Sequence, residues 1–310
     1  RLVTSRIDVD RTCLGELLDR RFASVEVVDE GSTGSSEFAR VKADDMDLFV
    51  KWTKADRIGD ERLARFNAAE RDFYARVDEI PEVEVPHCYF AGGDDAGHST
   101  LILEDLTPRL AEQPTPTFEG CVDVLANIHR ACFELDALET VARTDDGWKQ
   151  RLHDRIGAMA ERGDVAIKED DVGFMHDVVD LPVWEPRLRR VERIDKVTLQ
   201  HSDPHPANFL ALDNGEVRLI DWQLVESGIP TDDLAYLLVF YGGSDAALLE
   251  RYLRAIESDR YPRTLALADY ETSVLRTLLV VSAFWLGGMR GDRLQRAVDN
   301  ALNACRSIAA

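Results

Sequence analysis

His201-Ser202-Asp203-Pro204-His205-Pro206-Ala207-Asn208-Phe209-Leu210-Ala211-Leu212-Asp213-Asn214-Gly215-Glu216-Val217-Arg218-Leu219-Ile220-Asp221 is a short β-rich island in the second half of a 310-residue chain. Asn214-Gly215 between two apolar runs signals a two-residue hairpin, because both residues tolerate positive φ. With 214 and 215 as the turn, Asn208 and Asp221 fall opposite each other as cross-strand neighbours. Such neighbours hold their Cβ atoms about 4.5–5.5 Å apart, close enough for an amide oxygen and a carboxylate to share one hard cation. Pro204 and Pro206 fix φ and remove two backbone donors, so 201–207 reads as a stiff loop. Asp203 is held on that loop five residues before Asn208.

Oxygen-only ligation by few protein groups suits Mg²⁺, which brings water and phosphate oxygens as its other ligands. A positioned carboxylate at Asp203 could accept or orient a hydroxyl proton during phosphoryl transfer. Taken singly, an Asp-Pro loop or an Asn-Gly hairpin is mostly structural. The conjunction of H-x-D-x-x-x-x-N with a hairpin that returns an Asp to the Asn is far more specific.

The first hundred residues have a different character. Strand patterns at 24–30, 38–43 and 48–53 are followed by helical spacing over 57–79 and by a hairpin made of 85–92 and 100–103. Beyond 108, helical patterns dominate at 118–138, 148–162, 171–179, 234–256 and 265–301. The simplest organisation is an α+β arrangement of two lobes. Residues 1–103 form a small lobe with a five-stranded antiparallel sheet and one helix, 104–107 a hinge, and 108–310 a larger, mainly helical lobe.

Lysine is scarce: Lys42, Lys51, Lys54, Lys149, Lys168 and Lys196. Strand alternation puts Lys51 on one face with Phe49 and Thr53, opposite Leu48, Val50 and Trp52. In the following helix Phe66, Glu70, Phe73 and Val77 share one stripe, so Glu70 points at the sheet and is the economical partner for a buried Lys51. Glu61 falls off that stripe, and Lys42, beside Arg40, is the more exposed lysine. Gly31-Ser32-Thr33-Gly34-Ser35-Ser36, one strand before the Lys51 strand, is either a flexible turn or a loop whose N–H groups approach phosphates.

These elements in this order, with Leu103-Glu104-Asp105-Leu106, Asp221-Trp222-Gln223 and Asp233-Leu234-Ala235-Tyr236, resemble the aminoglycoside phosphotransferase and choline kinase superfamily, within the protein-kinase-like fold. The last strings look most like its ecdysteroid-kinase-like branch. The resemblance spans about residues 24–290. It implies ATP and Mg²⁺ as cofactors, Asp203 as catalytic base, Asn208 and Asp221 as Mg²⁺ ligands, Lys51 on the α/β-phosphates and Glu70 as its partner. It further implies Gly31, Ser32, Gly34 and Ser35 over the phosphates, Leu103 as gatekeeper, and the backbones of Glu104 and Leu106 on adenine. His201 and Asp233 would brace the catalytic loop. Two departures stand out: Ser202 replaces the glycine usual in relatives, and the glycine loop lacks regular spacing.

The resulting expectation is an ATP-dependent phosphotransferase for a small-molecule hydroxyl. The competing readings are a nucleotide-binding pseudokinase scaffold, and a hydrolase with His201, Asp203 and His205 on a transition metal. Net charge −21 argues against nucleic acid and anionic membrane surfaces as partners. Asp145-Asp146, Glu169-Asp170-Asp171 and Asp232 suggest a cationic acceptor. The longest apolar stretch, 278–286, is interrupted by Ser282 and too short to span a bilayer. Residues 1–6 read as a trimmed start without an apolar signal region, and five scattered cysteines as reduced thiols. Both suit a cytoplasmic protein, expected as a monomer or homodimer. Trp285 reads as core, Asp94-Asp95 as a turn, and His87, His98, His129, His153 and His176 as residues without an identifiable partner.

Overall fold

The computed structural model describes all residues but 1, 4, 6–7, 34–35, 55, 57–59, 81–82, 95–96, 134–147, 162–165, 183–197, 243–244, 260, 285–290 and 310; for 61–62, 148, 240, 242, 279–284, 291, 293 and 308–309 it describes the backbone alone. Asp95, Asp145, Asp146 and Trp285 therefore lie outside the described residues. The chain divides into two compact units, Arg1–Pro116 with Ala207–Val225, and Thr117–Pro206 with Glu226–Ala310.

In the first unit, α1 (Arg11–Leu17) precedes strands β1 (Val25–Ser32), β2 (Ser36–Ala43) and β3 (Met46–Thr53), then α2 (Glu61–Arg76), β4 (Cys88–Gly93) and β5 (Ser99–Glu104). The five strands form one antiparallel sheet in the order β1-β2-β3-β5-β4. Leu48, Val50 and Trp52 of β3 share a core with Ala39, Val41, Ile102, Cys13 and Leu14, so α1 covers one face of the sheet. Sequence patterning did not show α1, whose 7 residues are too few for a periodic signal. Asp10 starts it by accepting from the Thr12 and Cys13 amides, both at 2.8 Å. On the edge strand β1 the pairing with β2 slips between Val27 and Asp29, leaving Val28 as a bulge residue 66% exposed.

The island hairpin also belongs to this unit, as β7 (Phe209–Ala211) and β8 (Val217–Leu219). Its register differs by one residue from that expected of a two-residue turn: Phe209 pairs with Leu219 and Ala211 with Val217. The Leu212 amide donates to Glu216 and the Gly215 amide to Leu212, at 2.8 and 3.0 Å. Only Gly215 has positive φ, +85°. A two-residue turn of the I′ type needs two such residues, so Asp213, Asn214 and Gly215 form a three-residue turn instead.

The second unit contains α3 (Phe118–Ala131), α4 (Trp148–Glu161), α5 (Glu169–Val179), strands β6 (Thr198–Gln200) and β9 (Glu226–Gly228), which pair with each other, and α6 (Thr231–Leu237). A π-helical turn, Leu238–Gly242, follows α6 directly. Helices α7 (Ala246–Ile256), α8 (Arg263–Phe284) and α9 (Gly291–Ala309) complete it. Helix α3 opens on Thr117, which accepts from the Gly120 amide, and buries Cys121, Val122, Val124, Leu125, Ile128 and His129 on an apolar stripe of helical period. Among the described residues no helix is long and apolar enough to cross a membrane.

Candidate active site

The expected site residues divide between the two units. In the first, β3 carries Lys51 between Phe38 of β2 and Leu101 of β5. Lys51 is 8% exposed and Glu70 of α2 is 2% exposed. The ammonium donates to both Glu70 oxygens, at 3.0 and 2.8 Å, and to Asp221 Oδ1 at 3.3 Å. The pairing read from strand alternation and helix spacing is thus present, and Asp221 joins it. Burial alone would lower the Lys51 pKa, but the two carboxylates outweigh it and hold it above the ordinary lysine value. Burial pushes Glu70 upward, opposed by Lys51 and reinforced by Asp221. Lys51 therefore stays a cation, and it has one buried carboxylate and one half-open one to neutralise it.

Asn208 ends a 3₁₀ turn, Pro206–Asn208, and is 5% exposed. Its carbonyl accepts from the Ile220 amide at 2.9 Å, so it lies opposite Ile220 and not opposite Asp221 as the two-residue turn implied. Asp221 instead swings out of the strand with φ +66°. Its side chain is 43% exposed. Asparagine and aspartate tolerate the left-handed region better than other side chains, at a cost of about 1 kcal/mol or more. An amide oxygen and an accessible carboxylate are hard donors that fit a Mg²⁺ whose remaining ligands come from water or phosphate.

The other expected nucleotide contacts are placed as follows. Gly31 and Ser32 are the last residues of β1, paired with Phe38 and Glu37, and not part of the loop as the sequence suggested. A Cβ on Gly31 would lie 2.5 Å from the Phe38 ring, which accounts for that glycine by packing. Thr33 and Ser36 close the turn, with the Thr33 amide donating to the Ser36 carbonyl at 2.8 Å. Gly34 and Ser35 lie outside the described residues. Leu103 is buried between Phe49 and Cys88. The Glu104 amide donates to His87 at 2.8 Å, and the Leu106 carbonyl accepts from Arg109 at 2.9 Å.

In the second unit, the loop after β6 is braced by Asp233 of α6. Its two oxygens accept the His201 and Ser202 amides at 2.7 and 2.9 Å. His129 of α3, fully buried, reaches Asp233 Oδ2 through Nε2 at 3.2 Å and meets the Tyr252 hydroxyl through Nδ1. Sequence reading found no partner for His129, because the three residues come together only through packing of α3, α6 and α7. Ser202 adopts φ +66°, a conformation that favours glycine, and its hydroxyl donates to Glu226 of β9 at 2.9 Å. Asp203 is part-exposed and accepts the Tyr236 hydroxyl at 2.7 Å. Neither Glu226 nor Tyr236 was identifiable from sequence, since neither stands in a catalytic spacing.

His201 is 1% exposed, and its Nδ1 accepts the Asp203 amide at 3.3 Å. His205 Nε2 stands 3.9 Å from Asp203 Oδ2. The His201 Nδ1 is thus engaged by the loop backbone, and among the described residues no group of three His, Cys, Asp or Glu could hold a metal.

A kinase-type strand lysine paired with a helix glutamate, on a five-stranded sheet joined to a helical unit, defines the class. The pattern of the phosphotransferase enzyme family, APH, matches residues 29–267. The chain belongs to that family. Its fold is that of solved small-molecule kinases. Choline kinase LicA from Streptococcus pneumoniae shares 19% identity, with 96% of this chain and 97% of that one covered at a TM-score of 0.54. An aminoglycoside phosphotransferase from Alicyclobacillus acidocaldarius shares 14%, with 91% and 92% covered at 0.53. Spectinomycin phosphotransferase, solved with ADP and spectinomycin, shares 13%, with 96% and 92% covered at 0.52. No curated protein matches the chain.

Proposed function

We propose that this chain transfers the γ-phosphate of ATP to a hydroxyl of a small molecule. The observation that carries the reading is the buried Lys51–Glu70 pair with Asp221 at its open side. It leaves a fixed cation facing an accessible carboxylate, as a metal-bound polyphosphate requires. Family membership, and solved relatives whose structures hold ADP or AMP, support a nucleotide as donor.

On this reading Lys51 binds the α/β-phosphates and Glu70 orients it. Asn208 and Asp221 hold Mg²⁺, which when bound neutralises developing charge on the transferred group. Asp203 accepts the proton of the attacking hydroxyl, and the Asp233 brace fixes its loop. The backbones of Glu104 and Leu106 hold adenine beside Leu103, and Gly31, Ser32, Gly34 and Ser35 contribute contacts to the phosphates. Residues 104–107 act as the hinge between a nucleotide lobe, 1–103, and an acceptor-binding lobe, 108–310. The protein works in the cytoplasm, on an acceptor drawn from alcohols such as choline, amino sugars or aminoglycosides. Its acidity, net −21, favours a cationic one.

The test is ATP consumption over a panel of hydroxyl compounds, with the phosphorylated product read by mass spectrometry. Asp203→Ala should abolish transfer and leave ATP binding largely intact, while Asp221→Ala should weaken Mg²⁺-ATP binding. Full turnover in either variant would sink the assignment. ATP binding without product from any acceptor would favour a pseudokinase scaffold.

A further inference from the structure

The aromatic segment after Asp233 has no role in the reading above. Tyr236 of α6 is 8% exposed, and its hydroxyl donates to Asp203 Oδ1 at 2.7 Å. Helix α6 passes directly into the π-helical turn Leu238–Gly242. In an α-helix two residues five apart point about 140° away from each other around the axis. A π-turn, bonded i to i+5, brings such a pair back toward one face. Tyr241 accordingly lies beside Tyr236, ring centroids 6.0 Å apart, and His205 lies 6.1 Å from Tyr241.

Asp233 fixes the backbone of the loop at His201 and Ser202, but a backbone brace does not set the rotation of the Asp203 carboxylate. We propose that Tyr236 is a positioning residue for Asp203: its phenol holds Oδ1 and so fixes the rotation of the carboxylate that takes the proton of an acceptor hydroxyl, and is itself held in place by the π-turn. The inference rests on the phosphotransferase reading. Burial and the Asp203 charge raise the Tyr236 pKa far above that of a free tyrosine, so the group stays a neutral donor. Other titratable groups facing this carboxylate or its loop include His205 and His201 of the loop itself, Tyr241 of the π-turn, Asp233 of α6 behind the His201 and Ser202 amides, His129 of α3 behind Asp233, and Glu226 of β9 through Ser202.

The experiment uses the full chain without added ligand. Infrared carboxyl bands are titrated with pH, and Asp203→Asn identifies the band belonging to Asp203. A donated hydrogen bond favours the charged form, so Tyr236→Phe should raise the midpoint of that band by about one pH unit, a tenfold change in its acid constant. Replacing the tyrosines biosynthetically by 3-fluorotyrosine, a stronger donor, should lower it without altering the packing. A midpoint unmoved in both preparations overturns the proposal. ADP release from Mg²⁺-ATP over the hydroxyl panel separates the two levels. Release lost in Asp203→Asn, with an unmoved midpoint, overturns the positioning role and leaves the phosphotransferase reading standing. Absent release, or release indifferent to Asp203→Asn, overturns that reading and the proposal with it.

Discussion

The indole of Trp222 lies flat on the ring of Phe73, with centroids 4.1 Å apart and planes 16° apart. Trp222 follows Asp221 and Phe73 stands three residues beyond Glu70, so one buried stack anchors both carboxylates that face Lys51. The indole N–H donates to the Leu219 carbonyl at 3.0 Å, and the Trp222 amide donates to Glu70. Trp222→Ala should cost about 3–5 kcal/mol, as truncation of a buried aromatic does. Trp222→Phe should cost less, and its nucleotide affinity should fall less. Denaturant midpoints for the two variants check this; equal losses would show that the stack is not the anchor.

Removing the cation leaves two carboxylates facing each other. Lys51→Met should destabilise the chain by about 3–5 kcal/mol at neutral pH, the cost of orphaning a buried partner. The loss should shrink toward pH 5. Burial already raises the Glu70 pKa above its ordinary 4.5, and without Lys51 it rises further. In the window above 4.5 the folded variant then holds a proton that the unfolded chain lacks, so its stability falls as pH rises. Denaturation of the variant at pH 5 and pH 7.5 tests the sign; a larger loss at pH 5 contradicts it.

Ser202 combines a cost and a gain. Its φ of +66° is unfavourable for a side chain by about 1–2 kcal/mol, while its hydroxyl donates to the Glu226 carboxyl. Ser202→Ala keeps the strained backbone and loses the bond, and should destabilise by about 1–3 kcal/mol. Ser202→Gly loses the bond but relieves the backbone, so it should stay within about 1 kcal/mol of the parent. The ordering is the measurable point, and an alanine variant more stable than the glycine variant refutes it.

Cys88, Cys121, Cys132 and Cys305 should be slow to react. Burial raises Cys88 to about 11, and Cys121, Cys132 and Cys305 to about 12. The thiolate is the nucleophile, so Cys88 should alkylate about two orders of magnitude more slowly in the folded chain at pH 8 than after unfolding. Mass spectrometry of iodoacetamide-treated peptides reads the rate directly.

How far the molecule was readable from its residues depended on the range of the interaction. Lys51 and Glu70 were found because strand period and helix period each fix a face, and burying one ion demands the other. The five strands and the long helices followed from the same periodicities. The turn at Asp213-Asn214-Gly215 was misread because Asn-Gly is compatible with two loop lengths, and one residue of register put Ile220 rather than Asp221 opposite Asn208. The brace of His129, Asp233 and Tyr252, the Glu226 contact and the Tyr236 bond were invisible because the residues they bond are 24 to 123 positions apart and obey no period. The π-turn was equally hidden, since 234–256 reads as one uninterrupted helix.

The bulge at Val28 bears on how the chain behaves in concentrated solution. Strand β1 is one edge of the sheet, where unpaired N–H and C=O groups can recruit a strand from another molecule. The extra residue interrupts the regular spacing of those groups, and Glu26 and Glu30, with Asp29 paired to Arg40, give its surroundings an excess of carboxylates. Edge-to-edge association therefore meets both a broken ladder and electrostatic repulsion. A single deletion at Val28 would restore a straight edge, and the chain lacking it should form intermolecular β-structure that the parent resists.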